Sequence, residues 1–72
     1  MAGRTYSGRQ VLKGLRRAGF NEVSRRGSHV KLKNADGRTV IVPDHKEIAR
    51  GTMRSVLRQA ALSEAEFDRL AQ

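Results

Sequence analysis

The sequence predicts an α+β fold: a three-stranded antiparallel sheet with two main helices on one face and a short helix at the C-terminus. Three observations predict it. Apolar residues recur at helical spacing in two stretches, Val11 to Ala18 and Met53 to Ala61. Between them the period changes to two, clearest from His29 to Lys33, and Thr39-Val40-Ile41-Val42 follows as a β-branched run. Two turn signals, Gly27-Ser28 and Asn34-Ala35-Asp36-Gly37, punctuate these segments.

Each element has a readable boundary. Ser7-Gly8-Arg9-Gln10 is a capping box, so the first helix is expected over about 8–18. Val11, Leu12, Leu15 and Ala18 form its apolar face. Arg9, Lys13, Arg16 and Arg17 fall mainly on the other side. Gly19 suits the left-handed position after a helix, with Phe20 folding back as the apolar contact. The first strand is expected from Phe20 to Arg26, with Val23 apolar. The second runs from His29 to Lys33. Asp36-Gly37 supplies the positive φ that a hairpin needs, and Pro43 ends the pairing of the third strand. Asp44 to Arg50 is a polar loop. Thr52 is the expected N-cap of the second helix, whose apolar face is Met53, Val56, Leu57, Ala60 and Ala61. Ser63-Glu64-Ala65-Glu66 is a second capping box and starts a short helix carrying Phe67 and Leu70.

Packing follows from the alternation. Val30, Leu32, Val40 and Val42 are expected to meet Val11, Leu15, Val56 and Leu57. The opposite sheet face would then carry His29, Lys31 and Lys33. This αβββα order is double-stranded-RNA-binding-domain-like, an analogy of fold and not of function.

Composition bounds the function. Seventy-two residues make room for a single domain, 1–72, with a small core. There is no cysteine, so neither disulfides nor thiolate metal sites can support it. No run of 18 apolar residues exists, and Met1-Ala2-Gly3-Arg4-Thr5-Tyr6 lacks the apolar run of a secretory leader. A cytoplasmic setting with no membrane partner is the expectation. The net charge is +8. Fourteen of the fifteen basic residues fall within 1–58, against four of the seven acidic ones. Such a field attracts a polyanion. Arginine outnumbers lysine eleven to four, which favours forked contacts to phosphate.

The chemistry concentrates at Arg25-Arg26-Gly27-Ser28-His29. Two guanidinium groups precede a glycine turn whose amides can hold a phosphate. An imidazole follows on the face expected to be wet. Histidine alone has an unperturbed pKa near neutrality, and RNA cleavage needs a group that takes a proton from a 2′-hydroxyl and one that returns a proton to a leaving 5′-oxygen. Residue chemistry alone leaves two readings of His29 open, a passive phosphate contact and a catalytic acid or base. His45, in the loop after the third strand, is either solvated or a helper or RNA contact near His29. The seven acidic residues form no close cluster of the kind a two-metal nuclease uses, so no metal or other cofactor is expected. Ser28 and His29 are strand neighbours that point to opposite faces, so they make no nucleophile–base pair.

Taken in order, the motifs resemble one family. Val11-Leu12-Lys13 through Ala18-Gly19-Phe20, Arg26-Gly27-Ser28-His29, the hairpin Asp36-Gly37-Arg38-Thr39-Val40-Ile41-Val42-Pro43, and His45-Lys46-Glu47-Ile48 followed by Gly51-Thr52-Met53-Arg54-Ser55-Val56-Leu57-Arg58-Gln59-Ala60 are similar to those of HicA (YcfA-like) toxins. Each motif is weak alone, and together they are specific. The resemblance covers about residues 8–67. It implies a toxin of a type II toxin–antitoxin system that cleaves messenger RNA and blocks translation. It also implies a HicB-type antitoxin that covers the active site, and a catalytic histidine corresponding to His29. Many relatives carry a second histidine directly after the first, where this chain has Val30. Alternation points Val30 inward, away from the chemistry.

The expectation is therefore a metal-independent endoribonuclease. His29 would be general acid or base. Arg25, Arg26 and the Gly27-Ser28 amides would hold the scissile phosphate. Lys31 and Lys33 would guide the strand, and His45 would contact RNA. A +8 surface also invites an acidic, occluding protein partner. The rival is a non-catalytic RNA-binding module that reads shape with the basic residues of its first helix and the Arg54/Arg58 pair. A DNA-binding regulator is disfavoured, because strands separate the two helices that a helix-turn-helix would join.

Overall fold

The computed structural model describes residues 5–72, so Met1-Ala2-Gly3-Arg4, read above for a leader, lies outside the described residues. The elements are α1 (Gly8–Arg17), β1 (Asn21–Arg26), β2 (His29–Lys33), β3 (Thr39–Pro43), α2 (Arg50–Ala60) and α3 (Glu64–Ala71). The sheet is antiparallel in the order β1-β2-β3, and the helices cover one of its faces.

Both capping boxes form. The Ser7 hydroxyl accepts from the Gln10 amide at 3.1 Å, and the Gln10 side chain accepts from the Ser7 amide at 2.8 Å. Ser63 and Glu66 repeat the exchange at 3.0 and 2.8 Å. The amide and hydroxyl of Ser63 hold the exposed Glu66 carboxyl below its usual pKa. At the other end of α1, Gly19 has φ +99°. Its amide reaches the Arg16 carbonyl at 3.0 Å, and the Phe20 amide reaches Leu15 at 2.9 Å, which is a Schellman closure. Phe20 is thereby drawn into the core, so β1 begins one residue later than expected, at Asn21.

The expected cap of α2 needs correction. The helix opens at Arg50, with Ala49 in the N-cap place and no side-chain cap bond. The chain enters earlier because Ile48 is buried and bridges to Tyr6, its amide donating to the Tyr6 carbonyl at 2.8 Å. Thr52 therefore lies inside the first turn.

After α2, Ala61 takes φ +58°, and the amides of Ala61 and Leu62 reach Arg58 and Leu57 at 3.2 and 3.0 Å. This is the same closure with alanine where glycine is cheapest. Left-handed backbone costs an L-residue ~1–2 kcal/mol, partly offset by the greater freedom of glycine in the unfolded chain. Ala61→Gly is expected to stabilise the fold by ~0.5–1 kcal/mol, read as a rise of a few degrees in Tm.

The expected core forms. Val30, Leu32, Val40 and Val42 are buried with Val11, Leu15, Val56 and Leu57. Val30 pairs with Val42, and Leu32 with Val40. β1 does not share this burial. Its register with β2 slips between Glu22 and Ser24, a bulge that makes Val23 the extra residue, and Val23 is 54% exposed. The far edge of the sheet is covered. The Ile41 amide donates to the Gln59 side chain of α2 at 2.9 Å, and Arg38 donates to the Gln59 carbonyl at 3.2 Å.

α3 closes the core from the side of α1. A Cβ on Gly14 would lie 2.6 Å from Phe67 Cε1, so glycine is what lets the Phe67 ring sit against the helix. Phe67 is fully buried and meets Tyr6 edge to face, with ring centroids 5.2 Å apart. Arg17 donates to the Leu70 carbonyl at 2.9 Å and to the Gln72 carbonyl, tying α1 to the last turn of α3.

Candidate active site

The β1–β2 connection is a two-residue turn, Gly27-Ser28, between the paired residues Arg26 and His29. Gly27 has φ +60° and Ser28 a negative φ, the sign pattern of a tight hairpin turn matched to strand twist. The turn sets His29 as the first residue of β2, between Arg26 on one side and Pro43 on the other. Residues directly opposite in an antiparallel pair share a face. The open face therefore carries His29, Lys31 and Lys33 on β2, Arg26 and Ser24 on β1, and Ile41 on β3, all exposed.

Arg25 is the exception among the expected phosphate-holding residues. Its partner in the register is Val30, a core residue, so its side chain leaves the sheet on the helix side. There its guanidinium lies 3.2 Å from Asp44 and 3.6 Å from Glu22. The structure brings Arg26, Gly27 and His29 together and does not bring Arg25 to them. The reason is the strict alternation of a strand: adjacent arginines point to opposite faces.

His45 comes close to the same site. The Ser28 hydroxyl and His45 Nε2 are 3.2 Å apart. The loop holding His45 is pinned at several points. Asp44 donates its amide to the Ser28 carbonyl at 2.6 Å, His45 to Pro43 at 2.8 Å, and Gly8 to the His45 carbonyl at 2.7 Å. A Cβ on Gly8 would come within 2.7 Å of Asp44 Cα, so the start of α1 needs glycine to receive this loop. Ser28 thus serves His45, and not its sequence neighbour.

His29 and His45 line one open cavity of about 460 Å³. Ile41, Pro43 and Ile48 give it an apolar side, and Glu47, Ala49, Thr52 and Gln59 close it from the loop and α2. Sequence reasoning missed Ile41, Thr52 and Gln59 as members of this site. Ile41 was legible, since it alternates outward between the buried Val40 and Val42 and is 39% exposed. Thr52 and Gln59 were not, because only the packing of α2 along the edge of β3 brings them there. Among the described residues, no three His, Asp or Glu side chains gather as a metal site, and no helix is long and apolar enough to cross a membrane.

The arrangement can move protons and hold anions. Two imidazoles share one cavity, Arg26 and Lys31 lie beside His29 on the same sheet face, and the helices back that face from behind. Fold and site together define a small basic α+β protein with two imidazoles at one end of an open sheet face. The model of the HicA toxin of bacterial toxin–antitoxin systems matches residues 8–62, and the chain belongs to that family. The match spans α1 to the closure after α2; Tyr6 and Phe67 lie outside it. No curated protein matches the chain.

Proposed function

We propose that this toxin is a metal-independent endoribonuclease that cuts messenger RNA, with His29 as its general acid or base. The observation that carries the reading is the exposed His29 flanked on one sheet face by Arg26 and Lys31 and sharing a cavity with a second imidazole. In this mechanism an imidazole takes the proton of a ribose 2′-hydroxyl. The 2′-oxygen bonds to phosphorus, the bond from phosphorus to the 5′-oxygen breaks, and that oxygen takes a proton. The products are a 2′,3′-cyclic phosphate and a 5′-hydroxyl. Arg26 and the Gly27 and Ser28 amides stabilise the charge on the phosphoryl oxygens. Lys31 and Lys33 hold the strand on one side, and His45 contacts the RNA beside the scissile phosphate. The partner is a HicB-type antitoxin that covers His29. It is expected to be acidic toward this face, so that added salt weakens the complex.

The test incubates the toxin in EDTA with a long single-stranded messenger RNA, and with the same RNA carrying one 2′-deoxy residue at a mapped cut. Cleavage of the first and protection at the second support the mechanism. Dependence on added divalent metal, or cutting at the deoxy position, sinks it. Binding to duplex RNA without strand breaks favours the rival binding module.

A further inference from the structure

An endonuclease must grip its strand on both sides of the bond it breaks. Lys31 and Lys33 serve one side, stepping away from His29 along β2 by ~7 Å for every two residues. On the other side only His45 has a role so far. There His45 is shared between the His29 cavity and a second groove of about 310 Å³, lined by Ser7, Arg9, Asp44, His45 and Lys46. The carboxylate in this groove, Asp44, is already engaged by Arg25 at 3.2 Å.

Arg9 begins a row. Lys13 lies four residues on and Arg16 three more, all exposed, within roughly 60° of arc on α1 and stepping by ~4.5–6 Å. α1 contains no acidic residue. None of these three cations takes part in an ion pair among the described residues. No aromatic ring lies in the row, so it can follow a phosphate backbone without reading bases.

We propose that Arg9, Lys13 and Arg16 form a second phosphate track, joined to the His29 cavity through Lys46 and His45. The track holds single-stranded RNA on the side opposite Lys31 and Lys33. It rests on the reading of this site as an RNA-cutting one. α2 supplies an internal control. Arg50, Arg54 and Arg58 form a row of the same charge and similar length, also exposed. That row lies across the helix from Thr52 and Gln59, which line the His29 cavity, and near Glu64 of α3.

The experiment measures binding of a fluorescein-labelled 20-nucleotide single-stranded RNA to the full chain carrying His29→Ala, by anisotropy over a range of salt. Each phosphate contact in a single strand contributes about 0.7 to the slope of log affinity against log salt. R9Q/K13Q/R16Q is expected to make that slope shallower by about 2, each single change contributing about 0.7. R50Q/R54Q/R58Q is expected to leave the slope in place. If the triple variant of α1 fails to fold, the three single variants decide. An unmoved slope overturns the track, and so does an equal shift from the α2 set, which would make it net charge alone. Tighter binding of a duplex of the same length overturns the single-stranded path. A shifted slope in a toxin that never cuts RNA removes the nuclease reading and keeps the track. Cutting with an unmoved slope removes the track alone.

Discussion

His29→Ala is expected to lower RNA cleavage by ~10²–10⁴-fold, the usual contribution of a positioned acid or base, while leaving the fold intact. His29 is exposed and packs into no core, so its loss should move stability by less than about 0.5 kcal/mol. The check is the cleavage rate of wild type and variant in EDTA, with thermal melts beside it. The neighbouring arginines add a sharper demand. Arg26 shares the register position and face of His29, whereas Arg25 leaves on the helix side beside Asp44. Arg26→Ala should therefore slow cleavage well beyond Arg25→Ala, and the loss from Arg25→Ala should appear mainly as lower stability. Equal losses of rate from the two would contradict this account of the phosphate site. A His29→Ala variant that cuts at the wild-type rate would end it.

The second large effect concerns Phe67. Phe67→Ala is expected to destabilise the fold by ~3–5 kcal/mol. A chain of 72 residues has roughly 4–11 kcal/mol to lose. Much of the protein should then be unfolded at 37 °C. Gly14→Val should cost several kcal/mol too, because its added atoms would start 2.6 Å from the ring. The two changes are not independent. Removing the ring opens the space that the new side chain needs, so the double variant should be less destabilised than the sum by ~1–3 kcal/mol. Urea unfolding of the four proteins checks this. Strict additivity would mean that α1 and α3 do not meet through this pair.

Most of the fold was legible in the sequence for local reasons. Ser7 with Gln10 and Ser63 with Glu66 announce helix starts because both halves of each cap lie within four residues. Gly19 announces a helix end because few other residues accept its φ. The second strand was legible because Val30 and Leu32 alternate with cations. Ala61 hid a closure of the same kind, since nothing in an alanine signals a left-handed backbone. The start of α2 was misread at Thr52 because the true constraint, the bridge between Tyr6 and Ile48, spans 42 positions of chain. The site divides in the same way. His29, Lys31 and Lys33 follow from alternation within one strand. The separation of Arg25 from Arg26 also follows from alternation, but the run of two arginines draws the eye to charge before geometry. The meeting of His45 with Ser28, and of Gln59 with Ile41, depends on packing between distant segments and left no local mark.

The unequal treatment of the two sheet edges bears on how the molecule behaves when it is alone. Gln59 occupies the outer amide of Ile41, so a second copy finds no open ladder beside β3. β1 is the other edge, and there the extra residue Val23 breaks the pairing rhythm among Glu22, Arg25 and Arg26. Neither border offers a straight, uncharged template. Molecules released together should stay dispersed and not zip into ribbons, so each one keeps its open face available to whatever it meets next.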